Sequence, residues 1–184
     1  MSDVRTDALA ALLAVHRPAD RDEAGHRDRI LALLGSSERP FDRSGFTPGH
    51  VTASGLVVDP GRRHVLLIHH RRLGIWIQPG GHVDPADPDP EAAARREIAE
   101  ETGLTVLEAL EPQPIDVDVH AYPARAGEPA HLHFDVRFAF RAADARLRPN
   151  DEVREARWVG FGDLATLGAD RSILRPAGKL LRAP

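Results

Sequence analysis

The sequence contains no cysteine, a single tyrosine and a single methionine, and aromatic residues make up only 5% of it. The absence of cysteine excludes disulfides, thiolate metal ligands and a cysteine nucleophile. Acidic residues outnumber basic ones by 28 to 24, so the chain lacks the surplus of positive charge that drives binding to nucleic acid. With 184 residues, 42% of them hydrophobic, it is long enough to bury a core of its own.

Long apolar runs are also lacking. The N-terminal run from Ala8 to Val15 has eight residues, far fewer than a membrane-spanning helix needs. The preceding residues 1–7 carry two aspartates and one arginine, whereas a secretion signal begins with basic residues. We therefore expect a cytoplasmic protein with neither a membrane nor a nucleic acid as partner.

The most distinctive stretch is residues 80–104, GGHVDPADPDPEAAARREIAEETGL, whose second half is predicted to be a helix. Asp89 suits the N-cap, Pro90 the first helical position, and Gly103 the left-handed residue that ends a helix. At 3.6 residues per turn, three glutamates share one face within an arc of about 100°. They are Glu97, Glu100 and Glu101.

Such a row of carboxylates is unfavourable by itself. Like charges three or four residues apart repel by about 0.2–0.5 kcal/mol per pair, and these lie toward the negative end of the helix dipole. Arg96, four residues before Glu100, offsets only part of this repulsion. Mg²⁺ or Mn²⁺ would offset the rest, since hard cations prefer carboxylate oxygens. From spacing alone, a solvated acidic face explains the pattern equally well.

The same stretch resembles the signature of the Nudix hydrolases. That signature is a glycine, five residues, an acid, seven residues and then REUxEExGU, where U is aliphatic. The glycine pair Gly80-Gly81 and the run 96–104, REIAEETGL, carry the match. The likeness extends from about residue 51 to residue 167.

Two departures from the signature concern its early acid. Asp87 stands where the family has glutamate, and one extra residue lies between Gly81 and Arg96. The insertion falls in an Asp- and Pro-rich loop, where lengthening costs little. We therefore predict that Asp87, displaced by one residue relative to the helix, lacks the usual structural role of the early acid, and that Asp87→Asn weakens activity far less than Glu101→Gln.

The resemblance implies a metal-dependent hydrolase that cleaves a diphosphate linkage in a nucleotide-type small molecule, with Mg²⁺ or Mn²⁺ as cofactor. Gly80 and Gly81 would contact the substrate. The metal ligands would be Glu97, Glu100, Glu101 and the Gly81 carbonyl. One glutamate would orient or deprotonate the attacking water, with a slight preference for Glu97, and Arg96 would orient the carboxylates. Such chemistry depends on charge neutralisation and positioning more than on covalent help.

Glu152 lies just before the last predicted strand. It is a candidate for a further metal ligand or for the catalytic base. A solvated loop acid is the equally simple alternative.

Two other classes of function stay open. A Nudix-like domain could bind a nucleotide as a sensor without cleaving it, although three intact glutamates argue against a module released from catalysis. A structural or interaction protein built around the N-terminal helices is the other alternative.

The chain is expected to divide into an N-terminal helical extension, residues 1–48, and a Nudix hydrolase domain, residues 49–184. The extension predicts helices over 3–15 and 20–34, the second ended by Gly35, packed on the domain or forming a homodimer beside it. In the domain, strands on both sides of one central helix predict an α/β class. The resemblance implies an α/β/α sandwich with a mixed sheet. The predicted strands are 51–59, 63–69, 104–110, 115–122, 131–141 and 154–159.

Two of these strands alternate strictly and predict a hairpin around residues 123–129. Their polar positions are Asp116, Asp118, His120, His131, His133, Asp135 and Arg137. A hairpin symmetric about its loop pairs His120 with His131, Asp118 with His133, and Asp116 with Asp135.

An opposed pair of aspartates would repel, and three histidines are unusual on a solvated face. We therefore predict that Asp118, His120, His131 and His133 line a polar pocket for substrate recognition or a second metal. A solvated sheet face is the alternative.

Overall fold

The structure is a computed structural model and describes residues 3–125 and 127–182. Its helices are α1 (Val4–Val15), α2 (Arg21–Ser36), α3 (Pro90–Thr102) and α4 (Arg171–Leu180), with a 3-10 helix at Phe161–Leu167. Its strands are β1 (Gly49–Val58), β2 (His64–His70), β3 (Trp76–Ile77), β4 (Gly80–His82), β5 (Leu107–Ala109), β6 (Asp116–Tyr122), β7 (His131–Ala142) and β8 (Val153–Gly160).

All eight strands belong to one mixed sheet. Its main path runs β3-β2-β1-β7-β5, while β4 pairs with β1, β6 with β7 and β8 with β2. The central strands β1 and β7 are parallel, from the pair Gly49–Leu132 to the pair Val58–Arg141. The other pairings are antiparallel. The parallel pair brings together two segments that are about 80 residues apart in the chain, at the centre of the sheet.

Alternation along the central strands gives the sheet two faces, each of which carries apolar residues that pack against helices. On one face, residues such as Val51 and Phe134 pack with helices α1, α2 and α3. On the other, Leu56 and Ala139 pack with α4 and the 3-10 helix. The helices therefore cover both sides, which confirms the α/β class and the sandwich with a mixed sheet and N-terminal helices.

The N-terminal helices pack on the sheet of their own chain. Leu9 and Leu13 of α1 and Ile30 of α2 are fully buried in the same cluster as the sheet residues. The prediction that Gly35 ends the second helix was wrong, because α2 continues to Ser36. Glycine ends a helix when it adopts a positive φ, and Gly35 does not adopt one, so the helix continues through it.

A buried carboxylate ties α2 to the rest of the molecule. The carboxylate of Glu23, which has no exposed surface, lies 2.8 Å from His16 Nε2 and contacts Lys179 Nζ of α4. Although burial alone would raise it, these hydrogen bonds lower the pKa of Glu23 to about 2. The extension is thus joined to the last helix by charge as well as by apolar packing.

The glutamate-bearing helix has the predicted ends. The side chain of Asp89 accepts a hydrogen bond from Ala92 N–H, Pro90 begins the helix, and Gly103 ends it with a φ of 78°. The helix α4 was not predicted, since Pro176 and Gly178 within it obscure the pattern. Within residues 3–125 and 127–182, none of the helices is both long and apolar enough to cross a membrane.

Candidate active site

Helix α3 carries the three glutamates at very different depths. Its apolar residues Ala94 and Ile98 are fully buried and hold the helix on the sheet. As a result Glu101 is only 3% exposed, Glu97 is half-buried, and Glu100 faces solvent. The predicted row of carboxylates therefore runs from the surface into the protein.

Glu101 is held against the glycine pair of β4. The backbone N–H of Gly80 donates to its Oε2 at 2.9 Å. Burial, reinforced by the negative charges of Glu97, Glu152 and Glu100, raises the pKa of Glu101 to about 8. The single hydrogen bond from Gly80 only partly opposes this effect. A buried carboxylate with so little compensation is a site where a cation would bind favourably.

The glycine pair is required by close contact with Glu97 and β1. A Cβ on Gly81 would lie 2.6 Å from Glu97 Oε1, and one on Gly80 would lie 2.4 Å from the Cβ of Ser54. Gly80 also has a φ of 155°, which side chains rarely adopt. Burial raises the pKa of Glu97, against the opposing effect of Arg96.

Arg96 joins three parts of the site. Its Nη1 donates to Glu97 at 3.0 Å and to Glu100 at 3.2 Å, while its Nη2 donates to the carbonyl of His82 at 2.9 Å. It also forms an ion pair with Asp87 at 2.9 Å. The hydrogen bonds to Asp87 raise the pKa of Arg96 well above its usual value. Arg96 therefore fixes two of the glutamates relative to the β4 segment.

The prediction that Asp87 lacks a structural role in the site was wrong, whereas its smaller effect on activity than that of Glu101 stays a prediction. Asp87 is 8% exposed and both of its carboxylate oxygens accept hydrogen bonds from Arg96. It also accepts a hydrogen bond from Asp84 N–H at 2.8 Å, so the loop turns back on itself despite the inserted residue. Arg5 of α1 donates to the carbonyls of Asp84 and Asp87 and braces this loop from outside.

Glu152 lies close enough to the glutamates for its charge to contribute to the raised pKa of Glu101. Its side chain is exposed, and its carbonyl accepts a hydrogen bond from Arg71 N–H. Glu152 is thus placed beside the site at the start of β8, with its carboxylate facing solvent.

The predicted hairpin of β6 and β7 is present, but the predicted register was wrong: each residue of β6 lies opposite a residue two positions further along β7 than predicted. His120 lies opposite His133 and Asp118 opposite Asp135, because Tyr122 rather than His120 pairs with His131. The strand pairing therefore extends to Tyr122, two residues past His120, and the connecting loop is shorter than the predicted register requires.

Arg137 neutralises the opposed aspartates. This arginine is 1% exposed and forms ion pairs with Asp135 at 2.9 Å, Asp116 at 3.2 Å and Asp118 at 3.3 Å. Asp118 also lies 3.0 Å from His120 Nδ1. Although burial raises it, these contacts hold the pKa of Asp118 well below its usual range. Asp118, predicted to bind substrate, is therefore already engaged by protein cations.

The structure adds two histidines that the sequence analysis did not include. His50 of β1 pairs with His133 in the parallel register, and the ring of His82 lies 5.0 Å from that of His50. The alternation of His50, Thr52 and Ser54 with apolar residues is a signal that could have revealed a polar face on β1, although not which strand it pairs with.

The chemistry of the glutamate group fits a hard divalent cation. All donors are carboxylate oxygens, and the raised pKa values of Glu97 and Glu101 indicate negative charge that the protein leaves incompletely neutralised. Mg²⁺ and Mn²⁺ prefer such oxygens.

Comparison with known proteins places the chain in a described family. The family model described as NUDIX domain matches residues 48–179. A crystal structure of an Ap4A hydrolase binary complex from C. elegans is similar, with a TM-score of 0.55 and 19% identity over 72% of this chain and 95% of that one.

Two further solved structures have similar folds. A NUDIX-family hydrolase from Clostridium perfringens gives a TM-score of 0.54 and 22% identity over 72% of this chain and 96% of that one. The NUDIX domain of Shewanella oneidensis NrtR, in complex with ADP ribose, gives 0.53 and 18% identity over 82% and 97%. At these identities the structures establish a shared fold.

Proposed function

The chain belongs to the Nudix family, and on that premise we propose that it is a metal-dependent hydrolase that cleaves a diphosphate linkage in a nucleoside diphosphate derivative. Water would attack phosphorus. We further propose that residues 1–48 are a helical addition to the catalytic domain, and that the protein acts in the cytoplasm.

The observation that carries this proposal is the arrangement around Glu101. A buried carboxylate whose pKa is raised to about 8 accepts one hydrogen bond from Gly80 and lies near other negative charges. A sensor that only bound its nucleotide would gain nothing from this unfavourable concentration of charge.

The metal ligands we propose are Glu97, Glu100, Glu101 and the carbonyl of Gly81. When bound, Mg²⁺ or Mn²⁺ would neutralise diphosphate oxygens and lower the pKa of a water molecule. Glu97 is our preferred general base, because burial already raises its pKa toward the range in which a base works best.

Other residues position these groups. Arg96 links Glu97 and Glu100 to the β4 backbone and keeps their oxygens oriented. The backbone of Gly80 and Gly81 can approach the substrate closely, since neither residue has a side chain. Glu152 would supply a further metal ligand or the catalytic base.

The substrate class we propose is nucleotide-type. Two of the similar structures are an Ap4A hydrolase and a NUDIX domain bound to ADP ribose, and in both Ap4A and ADP ribose a phosphoanhydride bridge joins adenosine to a second group. The roles predicted for His120, His131, His133 and Asp118 in substrate recognition stay predictions.

A panel assay tests the proposal. ADP-ribose, a nucleotide sugar, a dinucleoside polyphosphate and an oxidised nucleoside triphosphate are incubated with the full chain, and the phosphates in each product are counted by mass spectrometry. We expect hydrolysis of at least one compound with Mg²⁺ or Mn²⁺, none in EDTA, and recovery when the metal returns. Turnover that persists in EDTA would contradict metal dependence. Tight binding without product would instead support the sensor.

A second prediction concerns Asp87. Because Asp87 holds Arg96 through two hydrogen bonds, Asp87→Asn should lower kcat/KM by about 10- to 100-fold, the range typical for residues that orient ligands. Asp84→Asn is the matched control, since Asp84 lies 3.7 Å from Arg96 and is half-exposed. Equal kinetics for both variants would remove Asp87 from the positioning network.

A further inference from the structure

Four histidines form a compact group on the polar face of the sheet, which we call the histidine cluster: His50, His82, His131 and His133. They come from three strands, β1, β4 and β7. The ring of His50 lies 5.0 Å from that of His82, 5.0 Å from that of His131 and 5.1 Å from that of His133. None of the proposed catalytic steps uses these rings.

Three members of the cluster have nitrogen atoms positioned for a shared ligand. One ring nitrogen from each of His50, His82 and His133 lies within 4.8 Å of the others. A point within about 2.8 Å of all three nitrogens therefore exists, and zinc–nitrogen bonds are about 2.0–2.1 Å long.

His50 has an unused nitrogen inside the cluster. Its Nδ1 lies 3.3 Å from the carbonyl oxygen of Gly45, which can only accept, so Nδ1 carries the proton. Its Nε2 then presents a lone pair, yet it is buried with no hydrogen-bond partner among residues 3–125 and 127–182. Metal-bound histidines commonly have this arrangement, with one nitrogen donating to a carbonyl and the other on the metal.

The surroundings keep these rings neutral, as a metal ligand requires. Burial, together with His50 and Arg43, lowers the pKa of His82 to about 4. Burial and the neighbouring histidines lower the pKa of His133 to about 2. His82 and His133 thus offer lone pairs rather than positive charge at neutral pH.

The donor set selects a particular class of metal. The nearest carboxylates on this face are engaged, because Asp135 binds Arg137, Thr52 and Ser54, and Asp118 binds Arg137 and His120. The ligand atoms that come together among the described residues are imidazole nitrogens, and imidazole suits zinc, copper, nickel and iron, whereas magnesium and calcium prefer oxygen.

From these observations we infer that His50, His82 and His133 bind one divalent transition-metal ion of the zinc class, at a site distinct from the carboxylates of α3. His131 is the nearest further donor, since its Nε2 lies 3.1 Å from His133 Nε2. The proposed metal site is connected to the glutamates through β4, because the carbonyl of His82 accepts a hydrogen bond from Arg96. A metal on His82 would tie that strand to β1 and β7.

Cobalt spectroscopy tests this inference without any activity measurement. The full chain is stripped with EDTA, transferred to buffer with excess Mg²⁺ to saturate carboxylate sites, and titrated with Co²⁺. We expect one equivalent to bind with the intense visible absorption of nitrogen-coordinated, tetrahedral cobalt, and Zn²⁺ to displace it.

Substitutions assign the ligands. His82→Gln should weaken Co²⁺ binding by at least about 100-fold, beyond the effect typical of outer-shell changes. His64→Gln is the matched control and should leave binding unchanged. His64 is a half-exposed histidine at the start of β2 and forms a pair with Asp59. Circular dichroism checks each fold, and His133→Gln repeats the test should His82→Gln misfold.

Three results would overturn the inference: weak octahedral absorption, equal binding by the His82→Gln and His64→Gln variants, or loss of binding in Glu101→Gln alone. The last would place the cobalt on α3. Because the readout is metal binding, failure here leaves the proposed hydrolase activity standing, and the converse also holds.

Discussion

Replacing Glu101 by glutamine is expected to lower kcat for diphosphate hydrolysis by about 10³-fold or more while leaving the fold intact. The amide can still accept the hydrogen bond from Gly80 N–H that the carboxylate accepts at 2.9 Å. What the substitution removes is the buried negative charge that would hold the metal. Steady-state kinetics with the substrate found in the panel assay measures the effect.

The matched control for this substitution is Glu91→Gln, in the first turn of the same helix. Glu91 forms an ion pair with Arg95 at 2.7 Å and lies at the other end of the helix from Glu101. Its loss should change kcat by no more than about twofold, as expected for a partly exposed helical pair. Comparable losses in the two variants would mean that the glutamates act through helix stability rather than through chemistry.

The same substitution has a stability signature without metal. Burial raises the pKa of Glu101 to about 8 from its usual 4.5, so the folded protein binds this proton more tightly than the unfolded chain. The contribution of Glu101 to the free energy of unfolding in EDTA should therefore be largest below about pH 4.5. It should fall as the pH rises to about 8, by at most about 1.4 kcal/mol per pH unit.

In Glu101→Gln this decrease should be absent, and the variant should be more stable than the wild type above pH 8. Denaturant unfolding at a series of pH values, with and without Mg²⁺, measures the difference. Parallel pH profiles for the two proteins would show that Glu101 ionises at its ordinary pKa, and the argument for its poorly compensated charge would then fail.

The glutamate helix could be predicted from the sequence because all of its signals are local. The cap at Asp89, the stop at Gly103 and the spacing of the glutamates lie within 15 residues of one another. The depth of each glutamate could not be predicted. It depends on how Ile98 and its neighbours seat the helix on the sheet, which is a tertiary property.

The error at Asp87 has a similar cause. The inserted residue displaces Asp87 by one position relative to the helix. The loop from Asp84 to Asp87 nevertheless closes through its own hydrogen bond, which brings the carboxylate of Asp87 to Arg96. Arg5 supports that closure from α1, more than 75 residues away in sequence. Local spacing carries no information about such a partner.

The histidine cluster shows the same limit on a larger scale. Alternation revealed the polar faces of β6 and β7, since both belong to one hairpin. His50 joins them only because β1 lies parallel to β7, and parallel pairing between distant segments leaves no signature in either strand. His82 is brought in by the pairing of β4 with β1.

Replacing Arg137 by methionine is expected to destabilise the protein by about 3–5 kcal/mol, enough to unfold much of it under mild conditions. Arg137 is almost completely buried and is the shared partner of Asp116, Asp118 and Asp135. Methionine fills similar volume but leaves this group of carboxylates short of positive charge in a region that excludes water. Arg175 would remain to pair with Asp116 at 2.7 Å and, at a longer distance of 3.7 Å, with Asp118.

Arg141→Met is the matched control on the same strand. Arg141 is partly exposed and pairs with Glu108 of β5, so its loss should cost no more than about 1 kcal/mol. Urea unfolding of the three proteins at neutral pH gives both values. If the two variants unfold at the same urea concentration, the aspartates must be neutralised by something other than Arg137.

The pH dependence separates lost charge from lost packing in Arg137→Met. Without the guanidinium, the pKa values of Asp116 and Asp118 in the folded variant should be higher than in the folded wild type, since the charge of Arg137 lowers both. The stability deficit of the variant relative to the wild type should then shrink as the pH falls from 7 toward 4, because protonation removes the uncompensated charges. A deficit due to packing alone would stay constant over that range, since methionine and arginine do not titrate there.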